Sequence, residues 1–179
     1  MGTVKLFYII SVCLSFFFFR KEPEYITLSD KILLPELARI KKEKGYLYAG
    51  GGGSFYSNVK SIALTFTINQ SPSLPEARKI YTELVEAIVE KYNANEKIRP
   101  YLDNYPFLPK NVEILLLFKL SDLNKHEPTV GSINMIRGNL RIALVCPETG
   151  QEIYRLTEPY DETYRLVYGH ERDNSKTSK

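Results

Sequence analysis

The chain has 179 residues, 44% of them apolar, with 24 basic against 21 acidic side chains. That length supplies one domain with a sizeable core, and a net charge of +3 excludes the clustered cationic surface that neutralising nucleic-acid phosphates requires. Two cysteines (Cys13, Cys146) and two histidines (His126, His170) leave no thiol-rich metal site and no His cluster, and no cofactor or metal is indicated.

The first element is a fourteen-residue apolar run from Leu6 to Phe19, broken only by Ser11 and Ser15, preceded by Lys5 and closed by Arg20 and Lys21. A cationic start followed by such a run is the pattern of a secretory signal, and a spanning helix needs roughly 20 apolar residues. No small-x-small pair follows, because Phe16–Phe19 lead directly into Arg20-Lys21-Glu22-Pro23. A cleaved signal, a short uncleaved anchor and a lipidated Cys13 all remain open, the last weakened by Val12 before the cysteine and apolar residues beyond it. An overextended start or a buried strand is the bland alternative. The expected location is extracytoplasmic (periplasm, envelope or secreted), with membrane association through residues 6–19 if they are retained. Loss of residues 1–20 removes Lys5 and Arg20, leaving 22 basic and 21 acidic residues, a net of about +1. Cys146 then stands alone, so no internal disulfide forms.

Residues 29–44 read as a helix, with Ser29 as a cap, Pro35 in its first regular turn and Gly45 just past its end. Leu33, Leu37 and Ile40 share an inner face, with Arg39, Lys41, Lys42 and Lys44 pointing away. That basic face is either solvated or laid on an anionic membrane. Gly50–Gly53 follow, flanked by Tyr46, Tyr48, Phe55 and Tyr56. No Lys-Ser/Thr succeeds them, so a flexible hinge fits better than a phosphate loop.

Val59–Ile68 alternates strictly, with Ile62, Leu64, Phe66 and Ile68 on one face, which predicts a strand. Ser73 and Glu76 form a capping box that opens a helix over Leu74–Ala94, with Ala77, Ile80, Tyr81, Leu84, Ala87 and Ile88 on its packed stripe. Val112–Leu120 is apolar on both faces and predicts a central strand covered on both sides. Ser132–Ile136 and Leu140–Cys146 form a hairpin in which Gly138-Asn139 takes positive φ. Gln151–Leu156 adds a strand, and Asp161–Tyr168 a short helix before Gly169. The predicted fold is α+β: an antiparallel, mostly meander sheet of about five strands, one long helix across a face, and an N-terminal helix. The expected organisation is 1–20 signal or anchor, 21–57 helix and glycine hinge, 58–169 the α+β domain, and 170–179 a disordered tail. Leu115, Leu117 and Val145 face away from the long helix and need a cover, either the 29–44 helix folding back or a protein partner.

The segment Asn95–Pro109 concentrates polar, aromatic and proline residues between the long helix and the central strand. Three prolines stiffen it. Arg99 offers a fork for a carboxylate or phosphate, Glu96 and Asp103 offer carboxylates, and Tyr101 and Tyr105 offer stacking faces. These five are the candidate binding residues. The competing reading makes the segment a staple, with Ile98, Leu102 and Phe107 in the core, Asn95 or Glu96 capping the helix, and Arg99 paired with Asp103 or Glu96.

The string N-E-K-I-R-P-Y-L followed by Y-P-F-x-P-x-N-V-E-I, here Asn95–Ile114, resembles a family of small uncharacterised bacterial proteins with signal-like N-termini. With the helix from Leu74, over which the likeness extends back, the resemblance covers about a quarter of the chain and implies a bacterial, exported protein without transferring any catalytic residue.

No Ser carries a nucleophile-elbow motif, and Cys146 before Pro147 sits in apolar company that favours an inert thiol. Glu96 with Asp103, or Asp161 with Glu162, is the kind of carboxylate pair a glycosidase uses. The expectation is a non-enzymatic, envelope-associated binding or accessory protein whose partner is a protein or surface polymer. The alternative is a small extracytoplasmic hydrolase working through paired carboxylates. Thirteen tyrosines suit the first.

Overall fold

The computed structural model describes residues 22–119, 128–146 and 148–172. The apolar run with Cys13, the 120–127 segment with His126, Pro147 and residues 173–179 lie outside the described residues. In chain order the elements are α1 (Glu24–Lys44), β1 (Leu47–Ser54), β2 (Ser61–Ile68), α2 (Leu74–Ala94), β3 (Val112–Phe118), β4 (Thr129–Ile136), β5 (Asn139–Val145), β6 (Glu152–Pro159) and α3 (Tyr160–Tyr168). Single 3₁₀ turns lie at Arg99–Tyr101 and Pro109–Asn111. No described helix is long and apolar enough to cross a membrane.

The alternation read in β2 holds. Ile62, Leu64, Phe66 and Ile68 are buried under α2, while Ala63, Thr65 and Thr67 lie on the other face, half-buried. The α2 stripe meets them with Ala77, Tyr81, Leu84 and Ile88, and the Tyr81 hydroxyl donates to the Ile114 carbonyl at 3.1 Å. Burial pushes that phenol far above its usual range, so it remains a donor. At the start of α2 the Ser73 amide donates to the Glu76 carboxylate at 2.8 Å, which supplies an acceptor to an otherwise orphan N–H.

Among the described residues the sheet has six strands in the order β1-β2-β3-β4-β5-β6. It is mixed rather than an antiparallel set of about five. β2 and β3 pair in parallel, Ile62 beside Val112 and Ile68 beside Phe118, and every other neighbour is antiparallel. The parallel step follows from α2, because a long crossover helix brings the chain back to the same end of the sheet. The sixth strand is β1. Gly50–Gly53, expected as a flexible hinge, pair with Thr65–Ile62 along β2 after a bulge at Ala49. Their backbone bonds to β2 hold them extended even though glycine has low strand preference.

Three further details differ from expectation. α1 begins at Glu24 rather than near Leu34, and Ser29 lies buried inside it instead of capping it. Pro35 is tolerated because it and Lys31, whose carbonyl loses an amide partner, both face solvent. The β4–β5 turn puts positive φ on Arg137 (52°) and Gly138 (80°), because Asn139 already pairs with Ile136 in the ladder. Finally, α1 does not fold back across the far face of the sheet. It packs beside α2 over β1, and Leu28, Ile32, Leu33, Leu37 and Ile40 join the same core as Phe66 and Ile88.

The three described helices therefore lie on one face of the sheet. α3 closes the other end of that layer through a buried network. Arg78 of α2 makes two bonds to Glu158 at 2.8 and 2.5 Å, and the Thr163 hydroxyl adds a third at 2.7 Å. Burial pushes the Glu158 carboxyl up, but the bonds from Arg78 and Thr163 outweigh it and hold it below the usual range. Beside it, Tyr160 and Arg172 both donate to one Glu86 oxygen at 2.8 Å. Arg172 is thus held against α2, although residues 170–179 were expected as a disordered tail.

Candidate functional site

The Asn95–Pro109 segment is built from the end of α2 outward. Asn93, 5% exposed, accepts from the Phe107 amide at 2.7 Å and donates to the Phe107 carbonyl at 2.8 Å. One side-chain amide therefore satisfies both backbone groups of a residue fourteen positions away. The Phe107 ring is fully buried and stacks on Tyr92 at 4.9 Å, with Ile98 and Leu102 beside it in the core. The Asn95 side chain accepts from the Lys97 and Ile98 amides at 3.0 and 3.2 Å and turns the chain out of the helix. Leu102 bridges to Val59 before β2, and Asn111 reaches the Lys60 carbonyl at 2.9 Å.

The five candidate residues fall into place around this plug. Arg99 donates from Nε and Nη2 to the Asn93 carbonyl at 3.2 and 3.1 Å, and its guanidinium lies 5.0 Å from the Tyr105 ring centre. The expected pairing with Asp103 or Glu96 is thus replaced by a backbone carbonyl and a ring, both of which suit a planar cation. Tyr101 donates to Glu24 of α1 at 2.8 Å and packs near Tyr25. The hydrogen bond to the Glu24 carboxylate, with its negative charge, holds this phenol above its usual range. Asp103 accepts from Asn58 at 2.8 Å and Asn104 at 3.0 Å. Glu96 is exposed, and no described contact joins it to Asp103. Arg99, Tyr101 and Asp103 therefore spend polar groups inside the fold and Tyr105 a ring face, tying α1, α2 and the entry to β2 together.

The face of the sheet opposite the helices is different. Leu115 and Leu117 of β3 stand beside Asn134 and Ser132 of β4, with Thr65 and Thr67 of β2 on the other flank. Leu117 is 41% exposed and Ile136 38%, although both lie in a six-stranded sheet, and Ile153 on β6 is exposed as well. Among the described residues β3 is fully covered on one side only, where two covered sides were expected. A shallow depression of about 470 Å³ runs over Ala63, Thr65, Glu113, Leu115, Asn134 and Ile136. Val145 departs from this pattern. It is 7% exposed, because Gly131, opposite its strand, leaves room for its methyls; a Cβ there would sit 2.7 Å from Val145 Cγ1. Of the three residues expected to need a cover, Leu117 is exposed, Leu115 half-buried and Val145 buried.

Among the described residues no group of three or more His, Cys, Asp or Glu is placed to hold a metal. Cys146 follows β5 and is half-buried, its sulfur 3.5 Å from the Glu148 carboxylate, and exposed His170 stacks edge-on to Tyr164. No family model matches the chain, and neither a curated protein nor a solved structure is significantly similar to it.

Proposed function

We propose that this chain is an exported, envelope-associated accessory protein that captures a partner protein on the helix-free face of its sheet. The observation that carries the reading is Leu117, an aliphatic residue on the third of six strands that is left 41% exposed beside Leu115. Exposed apolar surface on a regular sheet is stabilised when a partner removes it from water, at about 25 cal/mol per Å². The small neighbours Ala63, Thr65 and Ser132 let an apolar segment approach, while Glu113 and Asn134 supply polar contacts at its margin. The apolar run Leu6–Phe19, and the resemblance of Asn95–Ile114 to small exported bacterial proteins, support the envelope location.

Two measurements test this. Intact mass of the full-length product from fractionated cells should show an extracytoplasmic or membrane-associated species; an uncut, cytosolic chain sinks the location. A photo-crosslinker at Leu117 should give one discrete adduct heavier than the chain, and the same probe at exposed Lys110 should not. Equal, smeared adducts from both positions would remove the docking face.

A further inference from the structure

We propose that the chain pairs with a second copy through β1, the two strands running antiparallel about a two-fold axis so that two six-stranded sheets become one. This goes beyond the partner-binding reading and does not rest on it, because it uses the edge of the sheet rather than its open face.

The two edges of the sheet are built differently. β6 carries the Glu152–Arg155 ion pair and ends in Pro159, features that discourage a further strand. β1 contains no charge and no proline, and the outward side of its backbone meets no other strand among the described residues. Past the bulge at Ala49, the regular stretch Gly50–Ser54 presents its backbone to the edge, with the Tyr48 hydroxyl and the Phe55 ring lying against Gly51 and Gly53. An uncharged strand can pair with itself without opposing like charges.

The helix beside it singles out a second copy as the occupant. α1 enters β1 through Gly45 and Tyr46, and near its other end Tyr25 donates to the Phe55 and Tyr56 carbonyls just past β1. α1 therefore runs back alongside β1, and a two-fold that pairs β1 with its copy also sets the two α1 helices antiparallel on one side of the seam. Lys41 and Lys42 in the last turn of one helix then approach Glu22 and Glu24 at the start of the other, which joins opposite charges and opposite helix-dipole ends. Leu34 sits at the midpoint of α1, 62% exposed. It lies about 140° around the helix from Ser29 on the buried flank, so it projects away from the core. On the two-fold it meets its own counterpart.

Light scattering of the chain as recovered from the expressing cell, over about a hundredfold dilution series, reads the assembly directly. The expected result is a two-chain mass that falls toward one chain on dilution, and falls sooner at high ionic strength. Gly52→Lys should weaken dimerisation about tenfold or more at unchanged melting temperature, since a Cβ at Gly52 meets nothing within 4 Å in one copy. Leu34→Glu should do the same from the helix side, and it decides alone if the β1 variant misfolds. Leu117→Ser should leave the dimer intact, which separates this seam from the partner face. A one-chain mass at every concentration overturns the proposal, as does a dimer that neither variant weakens.

Discussion

The Asn95–Pro109 segment and the helix-free face of the sheet invert what their compositions suggest. The segment holds an Arg, two carboxylates and two tyrosines, the residues from which binding sites are made, yet Asn93, Glu24, Asn58 and Tyr105 occupy nearly all of them. The sheet face holds Leu115, Leu117 and Ile136, the residues from which cores are made, and leaves Leu117 and Ile136 exposed and Leu115 half-buried. Residue type states what a side chain is able to do; the partner it has already found decides whether it is free to do it.

The largest test of this contrast is Phe107→Ala. A clasp loses a buried ring, about 3–5 kcal/mol of stability by chemical denaturation; a loss under about 1 kcal/mol would show that the segment is not docked. Asn93→Ala should follow at about 2–3 kcal/mol, because both Phe107 backbone groups lose their partner in a buried place. Arg99→Ala should cost about 1–2 kcal/mol and leave partner capture unchanged. The reverse outcome, intact stability with lost capture, would return the segment to the candidate sites. Leu117→Ser should move stability by no more than about 0.5 kcal/mol while weakening the adduct formed by a photo-crosslinker at Ser132, its cross-strand neighbour. A large destabilisation there would mean that the face is covered in the folded chain.

Much of the fold was legible because it is written in periodicity. Ile62–Ile68 and the Ala77–Ile88 stripe announce one strand and one helix without any knowledge of their neighbours. The plug residues Ile98, Leu102 and Phe107 were legible for a similar reason, as isolated apolar side chains in a polar segment. β1 was not, since it is exposed almost throughout and its glycines carry no alternation; only the ladder to β2 makes it a strand. The parallel β2–β3 step was equally hidden, because an apolar run reads the same in either direction. Arg99 was misread because its acceptor is the Asn93 carbonyl, a group every residue owns and no sequence marks. Tyr101 and Glu24 are 77 residues apart, so their pairing depends on where α1 packs.

The parallel register of β2 and β3 also bears on how the chain assembles. It divides the sheet into two antiparallel blocks, β1–β2 and β3–β6, and each block is closed by contacts between successive strands. Ile62 and Val112, which begin the seam between the blocks, are separated by fifty positions that include all of α2. Closing that loop costs more entropy than any hairpin here, so the seam is a late contact in folding. In refolding followed by pulsed amide labelling, the backbone bonds shared by β2 and β3 should gain protection after those within the β4–β5 ladder.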